Sequence, residues 1–401
     1  MIWLAACVPP AEPPKGADEP VELGPDDAIG TVTGSAGTRF GQALAADAAT
    51  LVVGEPLYGD DERGAFRVFA GPLDADFVAD DGALVEGDAP GLRLGVAVAL
   101  VEGVVVAGAE GGAGEVWVGD ARWTGEADGD LAGRAVASAG DRDGDGATDV
   151  FVGAPGAADE RGAAYVLHGG DGGSLADADE VWLGAEGSNA GWAGCAPGDV
   201  DGDGYDDLVI SQLNAWSPDE ASGTAHLLPG GVAGAHEIAT EDEAAWSSGE
   251  PGLLQAGYAL ACPGDVDGDD VPDVAIGAYD GGDASDHRGR AWLTPAGARG
   301  SVVLAEAATW TFTGEPRGNA GAALAGLAVG MPGEYDETEG VQAVAVLSAD
   351  SAGPYTLADA PVRITGGPEV RNLGYALAWM GEELVVSAPD GEESGVVLVF
   401  R

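Results

Sequence analysis

Three stretches of this chain carry acids in one pattern: Asp141-Arg-Asp143-Gly-Asp145-Gly-Ala147-Thr-Asp149, then DVDGDGYDD from Asp199 to Asp207, then DVDGDDVPD from Asp265 to Asp273. Protein groups in a short loop cannot satisfy four carboxylates at the first, third, fifth and ninth positions. One hard cation can, with glycines letting the backbone wrap around it. The side-chain ligands would be Asp141, Asp143, Asp145 and Asp149 in the first loop, Asp199, Asp201, Asp203 and Asp207 in the second, and Asp265, Asp267, Asp269 and Asp273 in the third. The seventh position would add a backbone carbonyl from Ala147, Tyr205 or Val271. Calcium is the natural occupant, at three sites. An EF-hand needs a bidentate Glu at position twelve and flanking helices, but Val152, Ile210 and Ile276 stand there. The sixth position is Gly146, Gly204 and then Asp270. A sharp turn there wants a positive φ, so the third site is expected to be the weaker one.

The loops interrupt a repeat. A Gly-x-Ala unit occurs seven times, at Gly41, Gly95, Gly133, Gly191, Gly257, Gly321 and Gly374, each time at the head of an apolar segment. A second apolar run closed by a turn follows, as in VFVGAP at 150 and LVVSAP at 384. The third run starts behind a Gly, as in DERGAAYVL at 159, and the fourth is often opened by Trp, as at Trp123, Trp182, Trp246 and Trp310. From the Gly of Gly-x-Ala to the second run the distance is 17 residues in the three acidic units and 10, 9, 6 and 10 in the others, so each loop is an insertion in a tight turn. Four short strands per unit and seven units predict an all-β fold, a seven-bladed β-propeller. Small residues head the first strand because, on this reading, seven strands converge on the axis there. AIGTVTG near residue 30 matches a fourth strand, yet none follows GVVLVFR at the C-terminus, so the N-terminal strand is expected to complete the seventh blade. The recurring Trp residues, and Arg63, Arg161 and Arg288 likewise, are assigned to packing and repeated structural contacts.

Sixteen basic against 69 acidic side chains give the 401-residue chain a formal charge of −53. Such a polyanion repels phosphate backbones and anionic lipid headgroups, which argues against nucleic acid as a partner. Residues 1–7, ending Leu4-Ala5-Ala6-Cys7, look like a bacterial lipobox with Cys7 as the lipidated residue, although only six residues precede it. Either a leader lies upstream or the match is accidental. Residues 8–25 are Pro-rich and acidic, as a tether is, and residues 26–401 form the propeller body. The body is expected to be exported and monomeric, with a membrane link only through Cys7. Cys195 and Cys262 lie near the ends of neighbouring first strands and could pair in an oxidising compartment. Their offset by one residue, taken in an ideal ladder, favours two buried thiols instead.

With its repeats and loops together, the sequence resembles the FG-GAP family, the propeller of integrin alpha subunits and of many bacterial surface proteins. Phe40-Gly41 and Gly153-Ala154-Pro155 match the naming motifs literally, with Gly54-Glu55-Pro56, Ser387-Ala388-Pro389 and Gly277-Ala278-Tyr279 as variants. The resemblance implies a non-catalytic platform for adhesion or protein contact, with calcium between first and second strands. Only Phe40-Gly41 keeps the Phe, and four units lack the acidic loop. Antiparallel topology puts the loops joining strands two and three on the face opposite the calcium loops. There Tyr58, Trp216, Tyr279 and Tyr335 stand among acids, a surface suited to sugar rings or a basic protein patch. Four histidines without mutual ligand spacing, and no GxSxG or HExxH, place an enzyme behind both a binding module and a structural envelope protein.

Overall fold

Each repeat forms an antiparallel meander, and seven meanders close into a propeller. The computed structural model describes residues 20–213, 223–249, 255–279, 287–333, 341–348, 353–367, 370–389 and 394–401. Blade four shows the pattern: an inner strand Ala190–Gly198, then Asp207–Gln212, Thr224–Leu228 and an outer strand Ala244–Ser247. Blades three and five repeat it, with inner strands Ala135–Gly140 and Ala256–Gly264 and second strands Asp149–Ala154 and Asp273–Ala278. The second strands are buried at every position, because each is covered on both faces by neighbouring blades. The core is accordingly a series of interblade layers; in one, Val209, Leu227 and Trp246 of blade four meet Val274, Ile276 and Trp292 of blade five. Trp182, Trp246 and Trp310 are wholly buried and Trp123 nearly so, as expected of side chains that separate blades.

The N-terminal strand closes the ring. Gly30–Ala36 pairs antiparallel with Ser394–Phe400, Val32 opposite Val397, and becomes the fourth strand of blade seven. The boundary expected between tether and body falls inside folded structure, however. Val21–Leu23 forms a three-residue strand running parallel to Val362–Thr365 at the outer edge of blade six. The cause is a rule that a four-strand reading does not contain. In most blades, the connection from the third to the fourth strand lays a short parallel strand on the preceding blade, as Gly234–Glu237 does on Glu180–Leu183 and Gly300–Val303 does on Ala244–Ser247. Residues 21–29, which lead into the fourth strand of blade seven, take the place of that connection there. Six sheets therefore have five strands. Blade one keeps four, because blade two joins its third and fourth strands by a tight hairpin between Val118 and Ala121.

The Gly-x-Ala glycines answer to a different constraint from crowding at the axis. All seven have φ between 81° and 91°, a region that disfavours side chains. They also face the preceding blade: a Cβ on Gly191 would lie 2.2 Å from the Ala163 carbonyl oxygen, and one on Gly153 would lie 1.9 Å from the Gly191 oxygen. In five of the seven contacts the glycine of one blade's first strand thus seats against the second-strand glycine of the blade before it, while Gly41 and Gly257 meet Ser387 and Ser211 instead, so the two naming motifs are halves of one interblade contact.

Candidate functional site

The three acidic loops leave the same end of blades three, four and five, and their backbones fold alike. In the first, Asp141 accepts from the Gly144 and Gly146 amides at 2.8 and 3.0 Å, and Asp145 from Ala147 at 2.8 Å. In the second, Asp199 accepts from Gly202 and Gly204 and Asp203 from Tyr205; in the third, Asp265 accepts from Gly268 and Asp270 and Asp269 from Val271. The seventh residue of each loop is held through its amide. Its carbonyl is left as a candidate donor. At the ninth position the carboxylate is buried and caps the second residue's amide, as Asp149 does for Arg142, Asp207 for Val200 and Asp273 for Val266. Burial pushes all three carboxyls up to about 6, overriding those hydrogen bonds.

Candidate ligand oxygens within 4.8 Å of one another come from Asp141, Asp143 and Asp149, from Asp199, Asp201 and Asp203, and from Asp265, Asp267 and Asp269. Each loop thus gathers three of its four expected carboxylates; Asp145, Asp207 and Asp273 are not members of these triads. Asp273 Oδ1 is buried without a hydrogen-bond partner, an acceptor whose desolvation a cation would offset. An all-oxygen set of this kind fits a hard divalent ion of the calcium class. The sixth position has the positive φ expected of it, 90° at Gly146, 97° at Gly204 and 67° at the exposed Asp270.

Two partners of the first loop escaped the sequence. His168 Nδ1 lies 3.5 Å from Asp143 Oδ2, and its Nε2 3.8 Å from Asp149 Oδ2. Arg142, wholly buried, forms a bidentate pair with the equally buried Glu180 and donates to the Asp206 and Pro229 carbonyls. Because Asp206 also exchanges hydrogen bonds with Asp141, both at 2.9 Å, the first and second loops are one structural unit.

At the opposite end of the inner strands lies a cavity of about 420 Å³ on the propeller axis. Its mouth is ringed by the middle residues of the seven Gly-x-Ala units: Gln42, Val96, Arg134, Trp192, Tyr258, Ala322 and Tyr375. Arg134 stacks over Trp192 at 4.7 Å, Trp192 leans on Tyr258 at 5.6 Å, and Tyr258 stacks on Tyr279 at 4.7 Å. Gln42 donates to the Tyr375 hydroxyl at 2.8 Å.

Comparison with known proteins turns on the loop-bearing blades. A family model described as an FG-GAP-like repeat matches residues 141–210, from the first loop to the second strand of blade four. Integrin alpha pat-2 of Caenorhabditis elegans is 30% identical over 95 residues, 24% of this chain and 8% of that protein. Its Caenorhabditis briggsae counterpart is 32% identical over 90 residues, 22% of this chain and 7% of that protein. The propeller is of the FG-GAP, integrin alpha-like type. The matches span less than a tenth of the length of either curated relative.

Within the FG-GAP propeller, the aromatics expected on the ligand face separate. Tyr279 lines the axial cavity. Tyr58 is not among the lining residues; its ring lies 5.8 Å from the Arg67 guanidinium. Trp216, Tyr335 and Cys7 lie outside the described residues. The sequence reading missed the ring itself, whose signal was the middle letter of Gly-x-Ala, aromatic at Trp192, Tyr258 and Tyr375.

The two cysteines form a disulfide, Cys195–Cys262, with Cα atoms 5.7 Å apart, where two buried thiols were favoured. The parity argument assumed one ladder. These residues sit on inner strands of different sheets, blades four and five, where hydrogen-bond register does not govern which way neighbouring side chains point.

Proposed function

We propose that this FG-GAP propeller is a calcium-stabilised, non-catalytic binding platform working outside the cell, with its ligand face opposite the acidic loops. The observation that carries the reading is one hydrogen-bond net repeated in three loops, each drawing three carboxylates together. Calcium would supply the charge neutralisation those carboxylates lack. The carboxylates of the three triads and the carbonyls of Ala147, Tyr205 and Val271 are its candidate donors, the buried Asp149 among them in the first loop, while the buried Asp207 and Asp273 brace the other two loops from beneath. The disulfide suits an oxidising compartment. No helix among the described residues is long and apolar enough to cross a membrane, and attachment through a lipid on Cys7 is the membrane link this reading includes. A charge of −53 favours a neutral or basic ligand, protein or carbohydrate, over nucleic acid.

The test joins metal to ligand. With calcium at ~100-fold over its dissociation constant, each site adds about 2.7 kcal/mol, so the thermal midpoint should rise by several degrees and fall back with chelator. An unchanged midpoint removes calcium from the reading. Pull-down from envelope extracts and glycan arrays should retain a partner, while a broad hydrolase and lyase panel should show no turnover; turnover without binding would reverse the assignment.

A further inference from the structure

Resting on the platform reading, we propose that the axial cavity is a carbohydrate site for a neutral sugar ring, seated against the Trp192, Tyr258 and Tyr279 side chains that line it, with its hydroxyls held by Arg134, Tyr258 and Gln42. The cavity, at about 420 Å³, is within the range that encloses a small ligand. Its aromatic rings are half-buried, with apolar faces and polar edges, as a sugar requires.

Hydrogen-bonding capacity here is unspent. Among the described residues, the Tyr258 hydroxyl, the Trp192 indole N–H and the Arg134 guanidinium make no hydrogen bond; the nearest carboxylate, Glu110 Oε2, is 3.7 Å from Arg134 Nε. Burial holds the Tyr258 phenol above its ordinary pKa, so it remains a neutral donor. Gln42 spends its amide N–H on Tyr375 and keeps its carbonyl oxygen as an acceptor. A ring hydroxyl, both donor and acceptor, matches such a set.

Charge narrows the ligand class. An aromatic ring in a strongly acidic protein would ordinarily invite a cation, but Arg134 of this chain already lies on the Trp192 face. A free anion would meet the field of a −53 protein. A neutral hexose avoids both penalties.

The experiment uses the full chain in calcium, with methyl glycosides of glucose, galactose, mannose and N-acetylglucosamine as probes, read by tryptophan fluorescence and titration calorimetry. At least one glycoside should bind. Trp192→Ala should weaken it at least tenfold, Trp192→Phe should recover most of the loss, and Arg134→Gln should weaken it about threefold or more, all three variants melting as the parent does. Glycoside binding insensitive to all three substitutions puts the sugar elsewhere and overturns the site while leaving the platform reading intact. So does an arginine-rich peptide that binds in place of any glycoside and is lost in Trp192→Ala. Failure of every glycoside together with failure of pull-down and array to retain any partner overturns both.

Discussion

Ring closure by the N-terminal strand makes a quantitative claim that graded truncation tests. A chain beginning at residue 25 loses only Val21–Leu23, three mostly exposed residues on the edge of blade six, and the pairing of exposed Glu22 with the largely buried Arg363. The expected loss is about 1 kcal/mol, in keeping with a short edge and a pair whose acid is open to solvent. A chain beginning at residue 37 loses Gly30–Ala36 as well. For the deleted strand itself, ordering cost and contact gain largely offset each other. The net damage falls on what stays behind: Val397 and Val399, both wholly buried, lose the cover of Val32, and Ser394–Phe400 becomes an open edge. At roughly 2 kcal/mol per valine, exposing both costs up to about 4 kcal/mol, a large share of a stability of order 10 kcal/mol. The open edge invites pairing between molecules. Melting and light scattering after size exclusion should show the first truncation monomeric and nearly as stable as the parent. The second should melt well below it and associate, and a peptide spanning residues 20–40 should reverse both effects. Equal midpoints for the two truncations, or no rescue by the peptide, refute the closure argument.

Three further outcomes follow from the site. Asp270→Gly should tighten the third calcium site by relieving a positive φ of 67° on a residue with a side chain, a strain of about 1 kcal/mol, and calorimetry showing that site weakened or unmoved would mean Asp270 is a ligand. Arg142→Met leaves Glu180 buried without its cation and should cost about 3–5 kcal/mol in urea unfolding; a loss below 1 kcal/mol would show that the pair does not brace the first two loops. Cys195→Ser with Cys262→Ser opens a 67-residue loop, for which chain entropy sets a loss of up to about 4 kcal/mol; reductant should lower the parent to the same level, and a parent indifferent to reductant contradicts the disulfide.

What the sequence disclosed and what it hid divide along a physical line. The acidic loops were legible because four carboxylates at fixed spacing have few uses, and the 17-residue interval located them between strands. Closure was legible because a blade lacking a fourth strand leaves two edges to be paired. The fifth strands were not: Gly172–Ser174 and Gly353–Tyr355 are three residues long, carry no alternation, and are strands only because a neighbouring edge supplies partners. Cys195 and Cys262 were misjudged for a related reason, since parity describes side chains within a sheet and these two meet between sheets. Nothing in the spacing marked Arg142, in a place where the other loops carry Val200 and Val266. Only the fold puts Glu180 of the same blade's outer strand within its reach.

The axial ring was overlooked because repeats are read for what recurs, whereas the ring is built from the position that varies. That position is tied to the acidic loops more closely than the two separate faces suggest. Arg134, Trp192 and Tyr258, the side chains with the most unspent hydrogen bonding in the cavity, head the inner strands of blades three, four and five. Those are the three strands that run into Asp141, Asp199 and Asp265. From Trp192 to Asp199 is seven residues, roughly 23 Å of extended chain. Hydrogen bonds between Asp141 and Asp206 join the first two strands at their loop ends, and the Cys195–Cys262 bond joins the second to the third. The three strands that present Arg134, Trp192 and Tyr258 to the cavity are therefore tied to one another beyond those residues. Blades one, two, six and seven, with tight turns in place of the loops, contribute Gln42, Val96, Ala322 and Tyr375, of which only Gln42 and Tyr375 bring polar groups, and those two are already bonded to each other. A metal bound at the loops would stiffen the strands that present Arg134, Trp192 and Tyr258 to the cavity.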